Sequence, residues 1–316
     1  MKTSSYLMIL VIILPLACAE KISTKPGSAP LDFHPDKSSF ISFANELDIP
    51  KKGGHIQGVQ YYREDENSYF FFTGSSTNQS YLAIADAQSQ EIISVQKLMD
   101  EPFRHAGGFQ IMDRLLFVGI EDNEEKDKSL IQIYQIEGAK EGKLRLLKSI
   151  KRQGKYKRVT AGSVAVTKVK DSIWICVGNW DNHDLDVYKI ALDQPQMSEV
   201  DAKIIYSINS ENLDRNRWVE KSWFSYQNIN FFWEEEQLFM AAMAEERLGG
   251  KQLLDIFSCD LEKEDLALEK VFHQNFPKKG DTGFRWGGGV YRDEKGNLKV
   301  MACGEQIKET IAVRIY

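Results

Sequence analysis

Cysteine is scarce in this 316-residue chain: Cys18 sits in the apolar N-terminal run, and only Cys176, Cys259 and Cys303 follow it. An odd number of thiols, each inside or at the end of an apolar strand-like run, argues against a disulfide framework and for buried, inert side chains. No C-x-x-C spacing occurs, which removes a zinc knuckle or a thioredoxin-like centre. Basic excess is also missing. Lys and Arg number 40 against 46 Asp and Glu, a net charge of −6, so nothing favours nucleic acid as a partner. A membrane-spanning run is absent as well: Tyr6 to Ala19 is apolar but shorter than the about 20 residues a bilayer requires.

That run follows Lys2 and leads to Ala17-Cys18-Ala19, the pattern of a secretory signal peptide over residues 1–19. Two cleavage readings stay open. Ala17-x-Ala19 suits an ordinary signal peptidase, while Leu14-Pro15-Leu16-Ala17-Cys18 resembles a loose lipobox with acylation at Cys18. The expected product is exported: secreted, periplasmic or an outer-surface lipoprotein, with membrane contact only through a lipid anchor at Cys18. Residues 20–38, rich in Ser, Thr and Pro, read as a flexible tether, and residues 39–316 as the folded body.

Within that body a short segment leads into an apolar strand five times, beginning at His55, His105, Thr160, Ser225 and Arg285, at intervals of 50, 55, 65 and 60 residues. Two or three further strand-like runs of five or six residues follow each one, which resembles the repeat of a β-propeller. The resemblance covers residues 39–316 and implies an all-β fold, a five-bladed β-propeller. The chain stops one outer strand short, and Ser39 to Ile49 has the alternating pattern to supply it, so an N-terminal outer strand is expected to close the ring beside Thr310 to Tyr316. Gly58, Gly107, Gly108, Gly162 and Gly287 to Gly289 suit a narrow axis. A β-sandwich with ordinary strand glycines is the competing fold. Named propeller repeats do not fit: Trp180-Asp181 follows a second strand, whereas the WD dipeptide ends a third.

Propeller topology would bring the starts of first strands and the ends of second strands to one mouth. Expected there as ligand-binding residues are His55, His105, Thr160, Ser225, Arg285, Trp180 and Trp286. Glu121, Asp181, Glu245 and Glu305 are the carboxylates that could serve as general acid and base. Basic residues in the same connections, among them Lys51, Arg152, Arg158, Arg217, Lys278 and Arg285, suggest a field that concentrates anions. Salt bridges at the rim would explain the same charges. His55, His105 and a carboxylate such as Glu121 lack any local metal-binding spacing, so neither metal nor cofactor is expected.

Three functions compete. The first is binding of a small polar ligand, anionic or carbohydrate. The second is hydrolysis of a glycosidic or phosphoester bond by the carboxylates. The third is a scaffold for a protein partner.

Overall fold

The computed structural model describes residues 33, 35–50, 52, 54–191, 202–246, 250–263 and 266–316. The expected leader over 1–19 with Cys18, most of the expected tether, and Lys51 lie outside the described residues.

The described residues form twenty strands and no α-helix, arranged as five four-stranded antiparallel units. The first unit is β2 (Ile56–Glu64), β3 (Asn67–Ser75), β4 (Gln79–Asp86) and β5 (Glu91–Asp100). The second is β6 (His105–Met112), β7 (Leu115–Glu121), β8 (Lys128–Gly138) and β9 (Lys143–Gln153). The third is β10 (Ser163–Val169), β11 (Ser172–Gly178), β12 (Asp184–Ala191) and β13 (Lys203–Asn209). The fourth is β14 (Tyr226–Glu234), β15 (Gln237–Glu245), β16 (Gln252–Asp260) and β17 (Ala267–Phe276). The fifth takes β18 (Thr282–Arg292), β19 (Leu298–Gly304) and β20 (Thr310–Ile315) from the end of the chain and β1 (Ser39–Ala44) from its start. β1 lies antiparallel on β20, with Ser39 opposite Ile315 and Ala44 opposite Thr310.

The turn chemistry repeats with the units. Each hairpin joining a first to a second strand places one residue at positive φ: Asp65, Asp113, Lys170 and Glu235 at 51–54°, and Gly296 at 82°. Such turns match the right-handed twist of the strands they join. Neighbouring units touch through single ladder pairs, such as Ser75 with His105 and Ser163 with Gly108. Among the described residues no continuous hydrogen-bonded sheet runs round the molecule, and the fourth unit forms a sheet of its own. The first strands nevertheless lie side by side in the order β2, β6, β10, β14, β18, with β18 again beside β2.

Packing explains why the middle strands are apolar on both faces. Five buried clusters each lie between two neighbouring units; Phe43, Val59, Phe72, Met301 and Val313, for example, join the fifth unit to the first. Phe70, Phe71 and Phe72 are therefore all buried although alternate side chains point to opposite faces. Each such side chain contributes about 1.5–3 kcal/mol. The outer strands β9 and β13 are largely exposed, and their lysines discourage pairing with another chain. Cys176, Cys259 and Cys303 are free and buried, and burial pushes the Cys176 thiol up to about 12.

The connection between β13 and β14, where the sequence allows a short helix or a lid, begins with a 3-10 turn at Ser210–Asn212. It then packs on β17 through Val219 N donating to Lys270 O at 3.0 Å and Trp218 Nε1 donating to Leu268 O at 3.1 Å. Lys270 Nζ donates to Ser222 O at 2.6 Å, so this segment is a strap held to the fourth unit.

Candidate functional site

The first strands meet around an axis that is filled. A Cβ on Gly107 would stand 2.3 Å from Gly162 O, and one on Gly287 would stand 3.0 Å from the carbonyl carbon of Gly58. Backbones approach there as only glycine permits. Buried amides stitch the strands together where ladder bonds are lacking. Asn230 accepts from Gln60 Nε2 at 3.0 Å and from Val290 N at 3.1 Å, and donates to Phe109 O at 3.2 Å. Gln110 donates to Phe231 O at 2.7 Å and accepts from Val166 N and Phe231 N, each at 2.9 Å. These two side chains tie all five first strands, and fully satisfied networks of this kind rigidify a core.

Above that floor opens a cavity of about 180 Å³. Of the expected residues, it is lined by His55, His105, Glu121, Trp180, Ser225, Glu245 and Arg285. The strand register accounts for one pair directly: His105 opens β6 opposite Glu121 at the end of β7. Glu121 is fully buried and accepts from Ala161 N at 2.8 Å through Oε2. Its Oε1 lies 3.0 Å from His105 Nδ1, but the two are not aligned for a hydrogen bond and each is without one. The His105 ring stacks on Trp180 at 5.2 Å between centroids. Glu245 ends β15; Oε1 accepts from Lys278 Nζ at 2.8 Å, while Oε2 is buried without a hydrogen bond. Asn123 Oδ1, on the same wall, is a further buried acceptor without a donor.

His55 stands edge-on to Trp286, with Nδ1 at 2.8 Å from Ile56 O. Gln57 Nε2 lies 3.0 Å from Nδ1 and 3.3 Å from Nε2 of the same ring. Burial, foremost, pushes the imidazole below its ordinary 6.5, with His105 and Arg285 adding to that and the Ile56 carbonyl and Glu305 opposing it. The unfolded chain therefore takes up this proton first. Stability from a neutral His55 is complete above 6.5 and is lost as pH falls through the window beneath it. The urea midpoint of the wild type should fall more steeply over that window than that of His55→Gln, and equal slopes would remove His55 as the source.

Other expected residues lie outside the cavity wall. Thr160 is buried, with Oγ1 donating to Lys157 O and accepting from Trp180 N, so it braces the loop that carries Trp180. Asp181 stands behind the wall and accepts from Ser225 Oγ at 2.8 Å. Trp286 and Glu305 line a separate surface depression with Lys278 and Arg314. Four of the residues expected to make a basic field are engaged in ion pairs. Arg152 and Arg158 reach Asp186 at 3.0 and 2.6 Å, Arg217 reaches Glu269 at 2.8 Å, and Lys278 is held by Glu245. Arg285, exposed and set over Trp286 at 4.9 Å, is the sole Lys or Arg among the described wall residues, beside two glutamates of which one, Glu245, is held by Lys278. The wall also holds Gly162, read from the sequence as an axis glycine, and Gln57, Ser75, Asn123 and Gln227, which the sequence reading misses. Gln57 and Gln227 lie two residues beyond His55 and Ser225, and the period of a strand would have placed them on the same face.

No protein-family model matches the chain, and neither does any curated protein. Solved structures do. The GH43 endo-arabinanase of Bacillus licheniformis superposes with a TM-score of 0.53 at 9% identity, over 84% of this chain and 96% of that one. The catalytic domain of a GH62 α-L-arabinofuranosidase from Coprinopsis cinerea gives 0.51 at 12% identity, over 88% and 97%. A bifunctional GH43-CE protein of Bacteroides eggerthii gives 0.47 at 11%, and this chain spans 33% of its length. The likeness defines the class: an all-β protein of β-propeller architecture.

Proposed function

We propose that residues 39–316 are a five-bladed propeller, with β1 as the outer strand of the fifth blade, that binds a carbohydrate in the cavity at the axis. The five antiparallel units and the passage of β18 back beside β2 support the architecture. One observation carries the ligand class: Glu121 Oε1, Asn123 Oδ1 and Glu245 Oε2 are buried acceptors on one small cavity, each without a hydrogen bond. An unsatisfied buried polar group costs about 1–3 kcal/mol, and the hydroxyl groups of a sugar are donors that would remove that cost. The apolar leader supports export of the protein, with acylation at Cys18 as one route of anchoring.

A second reading, hydrolysis of a glycosidic bond, draws on the presence of two carboxylates, Glu121 and Glu245, at the same cavity. The two compared proteins with the higher TM-scores are named for action on arabinose-containing substrates, which makes arabinosides reasonable probes. Calorimetric titration of neutral methyl pentosides and hexosides into the wild type should give binding for at least one, weakened in Glu245→Gln. Release of nitrophenol from the matching nitrophenyl glycoside would mark an enzyme rather than a binder. No heat from any glycoside at millimolar concentration would sink the carbohydrate reading.

A further inference from the structure

The cavity is a dead end. Beneath it the axis is plugged by glycine backbones in contact and by the Asn230 and Gln110 amide networks, so nothing can pass through. A ligand enters and leaves by one side. The space of about 180 Å³ is below the about 300 Å³ at which pockets for drug-sized ligands begin. That scale is nearer to one sugar ring than to two. The acceptors without donors, Glu121 Oε1, Asn123 Oδ1 and Glu245 Oε2, are buried, whereas Arg285 is exposed. Polar recognition is thus concentrated inside the cavity, on whichever unit is inserted.

We infer that the site takes the single terminal unit of a neutral saccharide, end first, and leaves the remainder of the chain in solvent. This rests on the carbohydrate reading above and specifies its substrate class. A saccharide lying across the mouth would place its internal hydroxyls outside the cavity and leave those acceptors unpaired. A terminal uronate would bring a third carboxylate beside Glu121, which faces His105, and Glu245, which is held by Lys278, with Arg285 as the sole Lys or Arg among the described wall residues. The site therefore discriminates by chain end and by charge.

The test uses the full protein and three sets of probes: neutral methyl pentosides and hexosides, the di- and trisaccharides built from the same units, and the corresponding methyl uronosides. Dissociation constants for one, two and three units of the best sugar are expected to agree within about threefold, since only one unit is enclosed, and the matching uronoside should bind at least about tenfold more weakly. A gain of more than threefold per added unit, or a uronoside that binds as tightly as the neutral sugar, overturns terminal-unit recognition while leaving carbohydrate binding in place. Absence of binding by every saccharide overturns the carbohydrate reading itself, and this inference with it.

Discussion

Glu121→Gln is expected to weaken saccharide binding by about tenfold to a hundredfold, the equivalent of a charged hydrogen bond worth about 1.5–3 kcal/mol. The substitution keeps the shape of a fully buried side chain, and the amide oxygen can still accept from Ala161 N. What changes is the second oxygen, which faces His105 Nδ1 at 3.0 Å and has no hydrogen bond in the protein alone. Replacing it with an NH₂ group turns an acceptor without a donor into a donor, and a sugar hydroxyl loses a charged partner. The fold should survive, because the register that sets His105 opposite Glu121 belongs to the β6–β7 ladder and not to the side chains. If the protein hydrolyses its ligand with Glu121 as acid or base, turnover should fall further, by about 10²–10⁴. Unchanged affinity in a variant with the wild-type circular dichroism spectrum would place the ligand elsewhere.

Lys270→Met should have the larger effect on stability, a loss of about 3–5 kcal/mol, because it breaks a buried ion pair from one side. Lys270 and Asp255 are both fully buried, with Nζ 2.6 Å from Oδ2. The ammonium also lies within 4.9–5.5 Å of the ring centroids of Phe224, Trp218 and Phe257. Burial lowers its pKa, and Asp255 is the chief opposing influence. Methionine fills the space of the aliphatic stem but leaves Ser222 O without this donor and Asp255 with only the Tyr226 hydroxyl and His273 Nδ1. The strap between β13 and β14 loses an anchor at the same time. Adding Asp255→Leu should restore much of the loss, since the cost arises from the stranded carboxylate. Chemical denaturation of the two variants decides the matter: a loss below about 1 kcal/mol for Lys270→Met would show that the pair contributes little.

Much of this architecture is written locally and is therefore legible without coordinates. First strands open where small and polar residues give way to apolar runs, and His105 is the first residue of β6. The N-terminal strand is readable because Ser39 to Ile49 alternates and the last unit has only three strands of its own, although β1 itself ends at Ala44. In the fifth unit the sequence reading starts the first strand at Arg285, yet β18 begins at Thr282, and its register on β19 breaks between Gly283 and Gly288, where residues 284–287 have no ladder partner.

The axis and the charge pattern are less legible. Glycines announce a narrow axis, but the buried amides Gln60, Gln110 and Asn230 look like ordinary strand positions until several backbones converge on them. Arg152 and Arg158 read as free cations because their partner Asp186 is 34 and 28 residues away in sequence. Local charge counts record residues and not their partners, which is why a basic mouth becomes a wall with two glutamates and one arginine.

The pairing of β1 with β20 also sets how the molecule bears load. Ser39 faces Ile315, so the chain leaves both strands at the same end of the ladder. A force that pulls residue 38 away from residue 316 meets the hydrogen bonds of this pair in succession, not all at once, because antiparallel bonds lie perpendicular to the strands. The fifth unit would peel open like a zipper at low force, starting at Ser39 and ending at Ala44. Load introduced through an internal loop would instead have to shear a ladder whose bonds share it, so the direction of pull, more than the total number of contacts, decides where this protein gives way.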